Sequence, residues 1–212
     1  MVNEDIVLAY SNIANEYAEA FYHELDNKPI DRKLYDLFAD RIPLNGNCLE
    51  IGCGPGEISL YLHEKGLHIT GIDKSQAMIT IAKKLNNNIQ FKIDDVFNLS
   101  FESDSIDGIV APFLIVNFTN KEIKLALQEI YRILKHDSIL LLTFHIGRNK
   151  KLQLNDYFKK NNKIIFTLHS LENVKNIISK CGFIITEVVV KSPYESEQTT
   201  RAFIYAKKKD FV

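Results

Sequence analysis

The chain has 212 residues, 46% of them hydrophobic and 25% charged, with a formal net charge of −1. That supports one α/β domain with a sizeable core, and the balanced charge leaves no electrostatic footprint for nucleic acid. No apolar run approaches the roughly 18 residues of a membrane span, and the acidic start at Glu4 and Asp5 is unlike a signal peptide.

Cys48, Cys53 and Cys181 are too few for a disulfide framework, which points to a reducing cytoplasm. Cys48 and Cys53 lack zinc-type spacing, so no metal site is expected.

Residues 4–40 read as a helical arm, with the second helix over 31–39 and Pro29 as the break between segments. The arm is dense in aromatic side chains, among them Tyr10, Tyr17, Phe21 and Tyr22. They either pack it onto a sheet or let it cover a ligand reached by Tyr10 or Tyr17.

A short buried strand over 48–51 runs into Gly52-Cys53-Gly54-Pro55-Gly56 and then a helix over 57–65, closed by Gly66. Glycine at every second position permits a sharp turn and close approach of another molecule, beside the free N–H groups of a helix start. The dinucleotide fingerprint is G-x-G-x-x-G. Here the third glycine comes one residue early and Glu57 stands in its place. Glu50 adds an acid at the mouth of the loop, which would repel a pyrophosphate and suit a ligand with an amino group and a sulfonium.

A second strand over 68–73 ends at Asp73, 21 residues after Gly52, close to the roughly 20 that separate a glycine turn from a ribose-binding acid. Ser75 is placed as the N-cap of a helix over 76–85. A third strand over 89–93 ends at Asp94-Asp95-Val96, which is either a plain turn or a place where one carboxylate accepts from an adenine amino group. Residues 97–105 read as a loop or a short helical turn. A fourth strand over 106–111 leads into residues 112–118, then an amphipathic helix over 121–134.

Residues 139–144 form a near-continuous apolar strand of the kind buried on both faces, with His145 at its end. Residues 147–162 are polar and Lys-rich, more a solvated face than a nucleic-acid patch, and 163–168 turn extended. A helix over 171–181 and an antiparallel pair over 183–190 and 201–206 complete the chain.

Glu50-Ile51-Gly52-Cys53-Gly54-Pro55-Gly56, followed by Asp73, resembles motif I and the ribose acid of the class I S-adenosylmethionine (SAM) dependent methyltransferases. The order of elements resembles that fold from about residue 5 to 208. Tyr10 and Tyr17, with Lys28-Pro29, are similar to the arm of bacterial small-molecule members. The resemblance implies an α/β three-layer sandwich with a seven-stranded, mostly parallel, Rossmann-like sheet. Strands and helices would alternate five times before a final hairpin. Residues 1–212 would form one methyltransferase domain, with 1–42 as a helical arm over the cofactor.

It implies SAM as cofactor and S-adenosylhomocysteine as product. Glu50, Gly52, Gly54 and Gly56 would hold the methionine moiety, Asp73 the ribose, and Asp95 with Val96 the adenine. Ala111 and residues 112–115, including Ile115, would lie under the cofactor, and Cys53, Lys74, Met78 and Asp94 are counted with the same site. Where relatives carry Leu-Lys-Pro-Gly-Gly, this chain has Leu134-Lys135-His136-Asp137-Ser138, which implies altered turn chemistry at the far edge.

Asn117 and His145 lie beyond strand ends, where open α/β sheets bind ligands. They are the polar groups placed nearest an acceptor, with Tyr22 also assigned to the substrate. His145 is a candidate general base, or else a structural histidine or a substrate hydrogen bond. Tyr157, Tyr194 and Arg201 are further candidates for the acceptor pocket, although Arg201 also suits pairing with a surface acid. The implied function is methyl transfer to a small molecule, by a monomer or weak dimer that binds neither nucleic acid nor membrane. The alternatives are a non-catalytic SAM-binding or regulatory domain and an NAD-dependent oxidoreductase.

Overall fold

A computed structural model describes residues 4–156, 158 and 163–209. In chain order it contains α1 (Glu4–Asn12), α2 (Ala14–Phe21), α3 (Pro29–Ala39), β1 (Asn47–Ile51), α4 (Glu57–Glu64) and β2 (His68–Asp73). Then come α5 (Gln76–Leu85), β3 (Gln90–Ile93), β4 (Ile106–Pro112), α6 (Asn120–Ile133) and β5 (Leu134–His145). The chain ends with β6 (Lys150–Asn155), β7 (Lys163–Leu168), α7 (Leu171–Lys180), β8 (Phe183–Lys191) and β9 (Arg201–Lys208).

Seven strands form one sheet in the order β3-β2-β1-β4-β5-β9-β8. β1 to β5 pair in parallel, while β9 runs antiparallel to both β5 and β8. The apolar run in β5 is buried on both faces. Leu140, Leu142 and Phe144 join Ile123, Leu127 and Ile130 of α6 and Val174 of α7 in one core. Ile139 and Leu141 join Leu34 and Phe38 of α3, Leu62 of α4 and Ile79 of α5 in the other. Strand alternation thus feeds two cores from one sequence, which makes the three layers. A third, smaller cluster unites Ala9 and Ile13 of α1 and its end with Ile164 of β7. No helix of the described residues is long and apolar enough to cross a membrane.

The local expectations differ from the structure in four places. Pro29 begins α3 at its first turn, where its missing N–H costs nothing, and a 3-10 turn over Glu24–Asn27 precedes it. Strands and helices do not alternate five times, because no helix joins β3 to β4. There Asp94 accepts from the Asp95 and Ser100 N–H groups and Asp95 from the Phe97 N–H, and such local bonds compete with a helix.

The strand expected over 139–144 begins at Leu134, directly after α6. Leu134 pairs with Ile106 and Ile139 with Gly108, so the intervening residues bulge, with Asp137 at φ 59° and Lys135 paired to Asp107 at 2.7 Å. This is the turn where the family pattern fails. The polar stretch after Gly147 contains β6, antiparallel to β7, for which Leu152 and Leu154 supply the alternating apolar positions.

Candidate functional site

The neighbours of β1 are β2 on one side and β4 on the other, so the chain leaves the sheet in opposite directions and opens a crevice at the strand ends. A cavity of about 420 Å³ lies there, roofed by residues of α1, α2 and β7.

Its first wall is the glycine loop. Gly52 and Gly54 have φ of 75° and 50°, in the left-handed region that L side chains avoid. The Gly52 and Cys53 N–H groups donate to Ile72 O at 2.8 and 2.9 Å, which ties the loop to the end of β2. The Gly54 N–H donates to Asp73 Oδ2 at 3.0 Å and the Ser75 N–H to Oδ1 at 2.8 Å. Burial pushes the Asp73 carboxyl up, against these backbone bonds. A Cβ on Gly54 would meet nothing nearer than Tyr17 Cε1 at 4.0 Å. The bare backbone therefore leaves a cradle that a ligand can enter.

Tyr10, Tyr17, Gly52, Gly54, Asp73 and Lys74 all line the cavity, as do Met78, Asp94, Asp95 and Val96. Ser75 lines it too and caps α5, accepting from the Met78 N–H at 3.3 Å. Lys74 Nζ pairs with Asp95 Oδ2 at 2.7 Å.

Six of the residues expected at the site do not line the cavity. Glu50 is 2% exposed and accepts from Ser59 Oγ. It alternates with Leu49 and Ile51, so it points beneath the loop toward α4 and away from the mouth. Desolvation pushes its carboxyl up to about 8. Gly56 is required by packing: a Cβ there would lie 2.7 Å from Phe91 Cζ. Cys53, Ala111 and Ile115 are buried in the cores. The Tyr22 hydroxyl turns away to donate to Asn86 Oδ1.

The far end of the cavity is lined by His145 and Asn117, as expected, and by Phe113, Phe166, Lys28 and Arg201. His145 Nδ1 lies 2.7 Å from Thr199 Oγ1, and its ring stacks on Phe113 with centroids 4.8 Å apart. Burial, then the Arg201 guanidinium, holds its pKa down at about 4. Asn117 Nδ2 donates to the Tyr10 hydroxyl at 3.4 Å. Phe113 is a left-handed non-glycine, φ 51°, whose N–H donates to Thr143 O at 3.0 Å and to Thr143 Oγ1 at 3.1 Å.

Arg201 pairs with buried Asp31 at 2.8 Å and with Glu197 at 2.7 Å, so the expectation of a surface acid is corrected. Lys28 pairs with Glu24 and, at 2.6 Å, with Glu197. The Tyr194 hydroxyl accepts from the Ile30 N–H and does not line the cavity; Tyr157 lies outside the described residues.

Sequence reasoning missed Glu24 and Glu197 altogether, gave Ser75 only its capping role, and counted Phe113 only within the stretch 112–115. It noted Lys28-Pro29 without assigning it a role. Only Lys28 left a signal, the charged residue before a helix-starting proline.

A family profile described as a methyltransferase domain matches residues 48–137. A putative methyltransferase of Bacillus subtilis, YqeM, is 29% identical over 143 residues, 65% of this chain and 56% of that protein. The ubiquinone/menaquinone biosynthesis C-methyltransferase UbiE of Rickettsia bellii is 30% identical over 191 residues, 84% of this chain and 70% of that one. The chain thus spans a little over half the length of the Bacillus relative and 70% of the Rickettsia one. A crystal structure of a SAM-dependent methyltransferase from Methanosarcina mazei superposes with a TM-score of 0.74 at 22% identity, covering 82% of this chain and 97% of that one.

Proposed function

Because the chain belongs to the class I SAM-dependent methyltransferases, we propose that it transfers the methyl group of SAM to a small-molecule acceptor and releases S-adenosylhomocysteine. The observation that carries this reading is the single cavity that runs from the Gly52–Gly54 cradle and Asp73 to His145 and Arg201.

At the cofactor end, the uncovered backbone at Gly54 makes room for the methionine moiety. Asp73 keeps unused lone pairs beyond the two N–H groups it accepts, as a ribose diol needs. Val96 and Met78 offer apolar surface for an adenine, with Asp94 and Asp95 beside them. Bound SAM supplies a methyl group on a sulfonium, whose leaving group needs no protonation. The chain's residues then have to aim the acceptor, exclude water and receive a proton.

His145 is the group for the proton. In the tautomer in which Nδ1–H donates to Thr199 Oγ1, 2.7 Å away, the lone pair falls to Nε2 of a ring that lines the cavity. A pKa near 4 leaves the ring neutral at pH 7. It is a base only for a proton that becomes acidic as the nucleophile attacks. On the same reading the chain acts as one cytoplasmic domain, a monomer or weak dimer. Free thiols at Cys48, Cys53 and Cys181 and the net charge of −1 support a reducing compartment and a metabolite in place of nucleic acid.

Isothermal titration with SAM and S-adenosylhomocysteine, followed by labelled SAM in a metabolite extract, tests the proposal. Binding and label transfer are expected. Absence of binding overturns it, and binding without transfer to any metabolite favours a non-catalytic SAM-binding domain.

A further inference from the structure

We infer that Thr199, in the loop before β9, is a positioning residue for the transfer: its hydroxyl accepts the Nδ1–H of His145 and thereby presents the Nε2 lone pair to the acceptor. This rests on the methyltransferase reading and adds to it a residue that acts through the histidine.

Two contacts hold the His145 ring. Thr199 Oγ1 lies 2.7 Å from Nδ1, and the Phe113 ring stacks on the imidazole with centroids 4.8 Å and planes 24° apart. The stack fixes the plane of the imidazole but not its edge. A half-turn about the Cβ–Cγ bond leaves that plane in place and exchanges Nδ1 with Cδ2 and Nε2 with Cε1. Only the hydroxyl distinguishes the two, because it finds a nitrogen in one and a carbon in the other.

The second nitrogen is left for a ligand. His145 lines the cavity, and its Nε2 has no hydrogen-bond partner among the described residues yet keeps surface open to solvent. In a neutral imidazole the proton sits on one nitrogen or the other according to the hydrogen bonds they make. With Thr199 accepting, Nε2 carries a lone pair. With Thr199 donating, Nε2 would carry the hydrogen and could receive nothing. In the transfer, the acceptor's nucleophilic atom bonds to the methyl carbon as the C–S bond breaks with its electron pair on sulfur. The proton of that nucleophile passes to Nε2, so the products are S-adenosylhomocysteine, the methylated acceptor and an imidazolium.

The loop holds the hydroxyl in place from both sides. Two residues before it, the Glu197 N–H donates to Tyr194 O at 2.9 Å, and the Glu197 carboxylate receives the Tyr194 N–H at 3.1 Å, Lys28 at 2.6 Å and Arg201 at 2.7 Å. One residue after it, Thr200 O accepts the Ile146 N–H at 2.8 Å, and Arg201 is the cross-strand partner of His145. Thr199 is thus set between a charged anchor and the β5–β9 ladder, which brings it against the ring.

Nitrogen-15 NMR of histidine-labelled protein saturated with S-adenosylhomocysteine reads which ring nitrogen carries the proton. His145→Gln identifies the signal among the six histidines. A single neutral tautomer protonated at Nδ1 is expected. Thr199→Val, which keeps the shape and removes the hydroxyl, should lose that signature and slow label transfer from SAM into a metabolite extract about tenfold, the equivalent of one hydrogen bond. Its S-adenosylhomocysteine affinity should be unchanged. Thr199→Ser, which restores the hydroxyl, should keep the tautomer and hold the rate to within about twofold. A parent protonated at Nε2, or a Thr199→Val variant with either its tautomer or its rate unchanged, overturns the role of Thr199 and leaves the methyltransferase reading intact. Failure of S-adenosylhomocysteine to bind overturns that reading instead, and the tautomer, read on the unloaded chain, still decides whether Thr199 orients the ring.

Discussion

The carboxylate of Asp73, at the end of β2, accepts the backbone N–H of Gly54, in the loop after β1, at 3.0 Å. One side chain thereby shapes the loop and faces the cavity. Replacing Asp73 with Ala is expected to weaken SAM or S-adenosylhomocysteine binding by about 1–3 kcal/mol, the cost of orphaning charge-assisted hydrogen bonds. Titration calorimetry measures it, and unchanged affinity removes Asp73 from the site.

Gly54→Val separates cofactor binding from folding. The nearest atom to an added Cβ is 4.0 Å away, so the side chain enters the cavity without striking the protein. The φ of 50° adds about 1–2 kcal/mol of backbone strain. A folded protein with a lowered melting temperature and no measurable SAM binding is expected; full affinity would show that the cradle is not used.

His145→Gln should lower kcat/KM by about 100-fold if the ring receives the acceptor's proton, with S-adenosylhomocysteine affinity unchanged. The same variant has a stability signature. The folded pKa of about 4 lies below the ordinary 6.5, so between these values the unfolded chain binds more protons. The contribution of His145 is complete above pH 6.5 and is lost as pH falls toward 4. Denaturant titrations across that window should show a smaller acid loss in the variant than in the parent. An identical loss would mean that the histidine titrates normally.

Glu50→Gln carries the opposite sign. The folded carboxyl at about 8, against an ordinary 4.5, makes the folded state bind more protons between those values. Stability from this group is therefore fully present below pH 4.5 and falls as pH rises toward 8, by at most about 1.4 kcal/mol per unit. Glutamine keeps an oxygen for the Ser59 hydroxyl and has nothing to ionise. The difference in unfolding free energy, variant minus parent, should grow from pH 5 to pH 8; a flat difference would show that Glu50 is ionised throughout.

Much of the glycine-loop end of the cavity could be read from the chain, because it is local. A strand, a glycine turn and the next strand bring Gly52, Gly54 and Asp73 together within one βαβ unit, so spacing along the sequence is spacing in space. Glu50 shows the limit of that reasoning. Its position in the motif was legible, but its direction depended on which face of β1 meets α4, and the alternation with Leu49 and Ile51 turned it inward. The missing helix between β3 and β4 has a comparable origin, since Asp94 and Asp95 bind their own backbone more readily than they start a helix.

By itself the sequence determined the fold class, the glycine cradle and the acid at the end of the second strand, since periodicity and turn chemistry act over a few residues. Only the tertiary structure decided the far end of the cavity. Lys28 and Asp31 come from the arm, Phe113 from just past β4, His145 from β5, Glu197 from the loop before β9 and Arg201 from the first residue of β9. The physical reason is the strand order: β4, β5 and β9 lie side by side, and pairing His145 with Arg201 across β5 and β9 joins residues that no local pattern connects.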